Sequence, residues 1–336
     1  MALDGKILAQ AKNKLEEKRR QRDEEQQYRL RKIYSAVPRI RELDAELRLT
    51  MAELVGAALG VDAALKVDDI RVRNLKLQEE RRKELKKAGF PGDYLDDKYM
   101  CSSCRDTGYN GSIMCECLKE IYKKEQGSSL SNLFKLGNET FESFDLSYYN
   151  DSGETDTSVN PRQSMKMVYE ICTQYARNFG NNSMNLFFTG APGLGKTFLS
   201  ACIARVVAEN GFSVVYNTAM SVFSEFETVK FMRSHDADES REEVKRARSE
   251  VKRFLECDLL IIDDLGTEMT TAFTMEVLYD IINTRLLTNK KTLINSNLSI
   301  DELRRRYSVQ IMARLEGEYQ VLTFYGSDIR KMKNLV

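Results

Sequence analysis

The sequence predicts an α/β protein: a parallel sheet with helices on both faces, behind a mainly helical N-terminal region and a small cysteine-rich module. Three observations predict it. Residues 163–336 alternate short apolar runs with helical patterns, the mark of strands laid parallel. Residues 1–92 instead carry apolar residues at three- and four-residue steps between charged ones. Between these regions, four of the seven cysteines fall within Cys101–Cys117.

The helical region, 1–92, comes first. Ile33, Val37, Ile40, Leu43, Leu47, Met51 and Leu54 form one apolar stripe among Arg and Glu. Pro38 starts a new helix near its first position, where the missing N–H is not needed. Gly56, Gly60 and Val61-Asp62 mark a break, and a second charged helix runs from about Asp68 to Lys87. Ala88-Gly89-Phe90-Pro91-Gly92 stops it, with glycine and proline following a basic last turn.

The module spans 93–126. Its spacing, C-x2-C-x10-C-x-C over Cys101, Cys104, Cys115 and Cys117, lets four thiolates converge on one tetrahedral ion. Asp106-Thr107-Gly108-Tyr109-Asn110-Gly111 supplies the tight turns between the pairs. Four protein ligands leave no open position, so the reading is a structural Zn²⁺; a metal-free reduced loop and an iron–sulfur site are the alternatives. In a reducing compartment clustered cysteines bind metal rather than pair as disulfides. A short helix, Leu118–Lys124, follows. Residues 127–162 read as a linker, and Gly137–Asn160 holds six acidic residues and no basic one. Asp151–Asp156 is expected to be a disordered tip. Phe141–Tyr149 is too aromatic to be loose and is expected to dock on the following domain.

In 163–336 the strands are Leu186–Thr189, Ser213–Asn217, Leu259–Asp263, Thr292–Asn295 and Tyr319–Phe324. Gly190-Ala191-Pro192-Gly193-Leu194-Gly195-Lys196-Thr197 follows the first of them and opens the helix Thr197–Glu209. It fits G-x-x-x-x-G-K-[ST] in the context that motif requires, a phosphate-binding loop. Backbone N–H groups and the helix N-terminus attract the anion. Lys196 is expected to reach the β- and γ-phosphates of ATP, and Thr197 to ligate Mg²⁺. Leu259–Leu265 reads as a buried strand ending in two acids. Asp263 holds Mg²⁺ and Asp264 polarises the attacking water in this reading, which takes the two as a buried pair. Asp264 reaches less far than Glu, so slow hydrolysis is expected. Asn297, after the next strand, is expected to hold the same water, with Asn295 and Ser296 as alternatives. Arg304–Arg306, Arg314 and Arg330 follow; a guanidinium from a neighbouring subunit stabilises a transferring phosphoryl group, a role open to Arg314 on the expected helix Ser308–Gly317, while Arg330 is a candidate for contact with the nucleotide of its own subunit, surface solvation being the alternative for each.

Bulk composition restricts partners. Lys+Arg and Asp+Glu are each 51, so any nucleic-acid affinity must come from local patches. No eighteen-residue apolar run is present and the start is polar, giving the expectation of a soluble cytoplasmic protein with no membrane partner. His235, the sole histidine, is expected to be solvated surface beside Asp236 and Asp238.

With these residues in hand, the chain resembles the bacterial helicase loaders of the DnaC/DnaI type, a branch of the AAA+ ATPases, from about Pro38 to the C-terminus. The transposition ATPase IstB shares only the ATPase half. The resemblance is carried by Cys101–Tyr109 with Cys115-Glu116-Cys117-Leu118, by Phe141–Ser147, by Gly190–Thr197, by Leu260–Gly266 and by Ser296–Leu303. It implies a P-loop AAA+ domain without a full helical lid, since 39 residues follow Asn297. It implies an N-terminal region that binds a hexameric replicative DNA helicase. It also implies an ATPase domain that binds ATP·Mg²⁺ and single-stranded DNA and self-assembles through its ATP sites. Position by position, Lys196 and Thr197 match the Walker A pair and Asp263 and Asp264 the Walker B acids. Asn297 matches sensor 1, Arg314 a finger and Arg330 sensor 2. Gln310 departs from the arginine that relatives carry there, which leaves the finger open between Arg306 and Arg314. A charged insert, Phe223–Leu255, offers Lys245, Arg246, Arg248, Lys252 and Arg253 to DNA phosphates, or else a solvated face paired with Glu242, Glu243 and Glu250. The resemblance implies a DNA-replication ATPase that loads the helicase, ATP binding and hydrolysis switching its affinities. The alternative is an IstB-like ATPase that binds duplex DNA and recruits a transposase, and a third reading is an ATP-bound adaptor without useful hydrolysis.

Overall fold

The computed structural model describes residues 4–58, 63–134, 139–151, 160–232 and 238–333. The chain divides into two compact units, residues 12–118 and residues 1–11 with 119–336. His235 and most of the acidic tip, 152–159, lie outside the described residues.

The helices that begin the chain are α1 (Gly5–Ala36), α2 (Pro38–Ala58) and α3 (Ala63–Lys87). Pro38 is the first residue of α2, as its fixed φ and absent N–H favour. In the unit 12–118, Ile33, Ile40, Leu85 and Leu95 form a core with Leu30, Tyr34, Val37, Phe90 and Tyr94 packed around it. The apolar stripe departs from expectation at its far end. Met51 is exposed and Thr50 is buried in its place. A step of 3.6 residues carries the inner face from Leu43 through Leu47 to position 50. The Thr50 hydroxyl is satisfied there, donating to the Leu47 carbonyl at 2.8 Å and accepting from Asn74 at 2.6 Å. Gly89, at φ 81°, ends α3, with Phe90 N–H returning to the Leu85 carbonyl at 3.0 Å.

The cysteine module is a two-stranded hairpin, β1 (Tyr109–Asn110) and β2 (Ile113–Met114), paired antiparallel. It leads into α4 (Glu116–Phe134), which is longer than the expected Leu118–Lys124. Gly127 does not break it, a cost of about 1 kcal/mol that one glycine imposes on a helix interior. Two single turns of 3-10 helix, Phe141–Ser143 and Leu146–Tyr148, precede α5 (Pro161–Arg177).

The following elements are β3 (Asn185–Thr189), α6 (Lys196–Glu209), β4 (Val214–Thr218), α7 (Ala219–Phe231), α8 (Asp238–Glu256) and β5 (Leu259–Leu265). Then come α9 (Ala272–Leu287), β6 (Lys291–Ser296), α10 (Ile300–Arg306), α11 (Val309–Glu318), β7 (Tyr319–Thr323) and α12 (Ile329–Lys333). The five strands β3–β7 make one parallel sheet in the order β4-β5-β6-β3-β7. Alternate residues of each strand feed opposite faces. Leu186, Phe188, Ile261 and Leu293 pack beneath α5 and α6, while Phe187, Leu260, Ile262 and Ile294 pack beneath α7, α9 and α11. Burying each of these side chains stabilises the fold by about 1.5–3 kcal/mol. Sequence reading did not single out Arg285, which is fully buried under the second face. Its guanidinium donates to Thr292 at 2.9 Å and to the carbonyls of Phe254 and Cys257 at 2.6 and 3.1 Å, which makes its burial tolerable. Among the described residues no helix is long and apolar enough to cross a membrane.

Candidate functional site

The sheet order brings the carboxyl ends of β3, β5 and β6 side by side, the place where open parallel sheets bind ligands. The loop Gly190–Gly195 leaves β3 and turns into α6. Gly195, at φ 90°, is the residue before α6, and a Cβ there would stand 3.0 Å from the Tyr149 hydroxyl. That hydroxyl donates to the Leu194 carbonyl at 2.8 Å. Lys196 is buried, and its amine donates to the carbonyls of Gly190 and Ala191 at 2.7 and 2.8 Å. Burial lowers its pKa to about 8, against the opposing pull of Asp263 and Asp264.

Asp263 is buried and fully engaged. Its Oδ2 accepts the Thr197 hydroxyl at 2.9 Å and the Tyr216 hydroxyl at 2.8 Å. Its Oδ1 accepts the Asn295 amide and the Asp264 N–H, both at 2.9 Å. Burial, then the neighbouring Asp263 carboxylate, pushes the Tyr216 phenol well above its ordinary pKa, keeping it a donor. The two acids are not the buried pair that the sequence suggests. The β5–β6 register shifts between Ile262 and Leu265, and Asp264 follows with φ 56°. This bulge turns its carboxylate away from the sheet interior, and Asp264 is exposed. Asn297 donates to Asp264 Oδ1 at 3.1 Å. Asn295, by contrast, is fully buried between Asp263 and the Ser200 hydroxyl, and Ser296 donates to the Leu265 carbonyl at 2.7 Å.

A cavity of about 470 Å³ opens in front of these groups. Pro192, Gly193, Gly195, Lys196, Thr197, Asp264, Asn297 and Arg330 are among its lining residues. Glu139, Ser143, Phe144, Asp145, Tyr148 and Tyr149 line it as well. The aromatic segment docks as expected: Phe141 and Tyr149 are buried, and Phe144 stacks on Tyr169 at 5.5 Å. Its share in the cavity wall was not read from the sequence; the juxtaposition of aromatic and acidic residues before the phosphate loop was the available signal. Arg314 is not among the lining residues, and its guanidinium lies 3.4 Å from the Asn283 side-chain oxygen. Arg306 donates to the Glu268 carbonyl, while Arg304 pairs with Glu316 at 2.8 Å and Asp301 at 3.0 Å.

On α8, Val244 and Ala247 are buried and Glu242, Glu243, Lys245, Arg246, Arg248 and Lys252 are exposed. Arg253 is drawn off by Asp4, at 2.6 Å, and by Glu250. Arg246 pairs with Glu225 at 3.2 Å.

In the unit 12–118 the four thiols converge. Cys101, Cys104, Cys115 and Cys117 have all Sγ atoms within 4.8 Å of one another, with 3.7 Å from Cys101 to Cys115 and 3.4 Å from Cys104 to Cys117. A tetrahedral ion with Zn–S bonds near 2.3 Å needs edges of about 3.8 Å, so the residues fit such an ion. Burial opposes ionisation of Cys104, but the Gly108 N–H, 3.3 Å from its sulfur, and the other thiols outweigh it and bring the pKa to about 7. Behind the sulfurs, buried Asp106 accepts the N–H of Cys101 at 2.8 Å and the Arg22 guanidinium at 2.5 Å, tying α1 to the module.

A family model described as IstB-like ATP binding protein matches residues 154–315. The replicative helicase loader DnaC of Buchnera aphidicola is 26% identical over 167 residues, 49% of this chain and 64% of that protein. DnaC of Escherichia coli is 25% identical over 142 residues, 42% of this chain and 54% of that protein. The chain thus spans between about half and two-thirds of the length of these curated relatives. Among solved structures, a DnaC helicase loader has a TM-score of 0.41 at 20% identity, covering 53% of this chain and 99% of that one. DnaI has a TM-score of 0.40 at 20% identity, covering 56% of this chain and 91% of that one. Residues 154–315 carry the IstB-like ATP-binding family match, in a chain that is similar in sequence to bacterial replicative helicase loaders of the DnaC type.

Proposed function

We propose that this chain is an ATP-dependent loader of a hexameric replicative DNA helicase onto single-stranded DNA. The observation that carries the reading is the meeting of Lys196, Thr197, Asp264, Asn297 and Arg330 on one cavity, with Asp263 2.9 Å from Thr197 behind them. That set suits a magnesium-bound triphosphate. Lys196 leaves the loop carbonyls for the β- and γ-phosphates, and Thr197 with Asp263 holds Mg²⁺. Asp264, oriented by Asn297, draws the proton side of an attacking water toward itself. Arg330 contacts the nucleotide of its own subunit, and Arg314, away from that cavity, is the finger offered to a neighbour in a self-assembled array. Phe144 and Tyr148 offer the base an apolar wall and Glu139, Ser143 and Asp145 offer it polar groups. In the unit 12–118 the four thiolates hold a structural zinc that shapes the helicase-binding module. Lys245, Arg246, Arg248 and Lys252 are the exposed candidates on α8 for DNA phosphates, whereas Arg253 is held by Asp4 and Glu250.

On this reading the work is done by differential affinity. A partner is gripped in the ATP state and released after hydrolysis. Co-purification of the chain with its cognate helicase under ATP, ADP and no nucleotide tests it. The expected result is a stable complex whose lifetime depends on the nucleotide. Absence of any complex in all three conditions contradicts it. Nucleotide-dependent binding to duplex DNA without helicase binding then favours the IstB-like reading, which the match over residues 154–315 supports.

A further inference from the structure

Glu268 is buried, 4% exposed, and lies on the loop between β5 and α9, four residues beyond Asp264. Both of its carboxylate oxygens are engaged. Oε2 accepts the Gly266 N–H at 2.8 Å and Oε1 accepts the hydroxyl of Tyr307, itself buried. The Glu268 carbonyl accepts the Arg306 guanidinium. Arg306 and Tyr307 sit where α10 passes into α11. A single residue therefore touches both the loop after the second acid and the arginine-bearing connection.

The loop is wound tightly behind Asp264. The Thr267 N–H and hydroxyl return to the Asp264 carbonyl at 3.3 and 2.9 Å. Gly266 has φ 101°, and a Cβ there would stand 2.5 Å from Leu298. Asp264 is held at φ 56°, a region that a residue with a side chain occupies only when its surroundings enforce it. The Gly266 amide, two residues on, is fixed by the Glu268 carboxylate, and the carboxylate is fixed by Tyr307. Burying a carboxylate merely to close a turn is costly when an uncharged side chain could do so. A carboxylate offers two acceptor oxygens, one for each of the two donors that converge here.

We propose that Glu268 is a positioning residue. It holds the turn that presents Asp264 to the cavity, and it ties that presentation to the placement of Arg306 and Tyr307. A shift of the α10–α11 connection, such as docking of a neighbouring molecule against Arg306 would impose, is thereby transmitted to the water-facing acid. The inference rests on the ATPase reading and adds a regulated element to it.

The test measures turnover and ATP affinity in the full chain for Glu268→Gln and Tyr307→Phe, singly and combined. Gln meets one of the two donors with its oxygen and turns an N–H₂ toward the other. The expected result is a fall in kcat of about 10- to 100-fold, as misplacement of a reacting group produces. ATP affinity is expected to stay within about twofold, and the double variant to be no slower than the slower single one, because both break one link. If Glu268→Gln does not fold, Tyr307→Phe, which keeps the buried ring, carries the test. Wild-type kcat in a folded variant overturns the inference, as does a parallel loss of affinity, turnover and thermal stability with additive effects. No turnover in the unmodified chain is a distinct result, which removes the ATPase reading itself.

Discussion

At the scale of single residues, the lysine of the phosphate loop makes the sharpest prediction. With its amine on the carbonyls of Gly190 and Ala191, Lys196 is buried and its pKa is lowered to about 8. Without nucleotide it is charged below that pH and loses its proton above it. A triphosphate favours the charged amine and raises its pKa, so binding takes up a proton above about pH 8 and none below. ATP affinity is therefore expected to be flat up to about pH 8 and then to weaken by up to about tenfold per pH unit. Calorimetry in buffers of differing ionisation enthalpy checks this, and a profile flat to about pH 10 contradicts it. Lys196, Thr197 and Asp263 were legible from the sequence because motif spacing and an apolar strand fix them locally. The hydroxyl of Tyr216 and the amide of Asn295, which hold Asp263, were not. They come from β4 and β6, and only the sheet order puts those strands on either side of β5. The exposure of Asp264 was hidden for a related reason: an apolar run ending in two acids does not reveal the bulge that separates them.

At the scale of elements, the cysteine module was read from its spacing, and the structure brings all four sulfurs together. The strut behind them was not legible. Arg22 lies 84 residues from Asp106, and nothing in the charged pattern of α1 marks it among its neighbours. A module of two-residue strands cannot bury enough apolar surface to stand alone. A structural zinc held by these four thiolates would supply about 10–16 kcal/mol of apparent binding free energy, which would become folding free energy. Protein purified without chelator is expected to contain about one zinc per chain by elemental analysis. Changing Cys101 and Cys104 to Ser is expected to abolish zinc retention and to expose residues 93–118 to protease. Retention of less than about half a zinc per chain in the unmodified protein, or a protease-resistant module in the variant, contradicts this reading. The helices teach a similar lesson. Pro38 began one helix and Gly89 ended another as their backbone chemistry dictates, whereas Thr50 displaced Met51 from the inner face because helical phase, not hydrophobicity, decides which position is covered.

At the scale of the whole molecule, a parallel sheet with a core on each face sets a phosphate loop, an acid-bearing strand end and an amide on one cavity. The strands and their alternation with helices were legible because each is a short apolar run between turn residues. The segment 141–149 was legible as docked but not as part of the site, because its approach to Gly195 depends on tertiary packing. The central claim is that the cavity holds ATP with magnesium between residues 190–197 and the acids at 263–264. Titration of the full chain with labelled ATP, with and without Mg²⁺, tests it most directly. The account predicts magnesium-dependent uptake that is lost in Lys196→Ala and kept, without turnover, in Asp264→Asn. Failure of the unmodified chain to take up ATP, or uptake by Lys196→Ala at unchanged affinity, would contradict it.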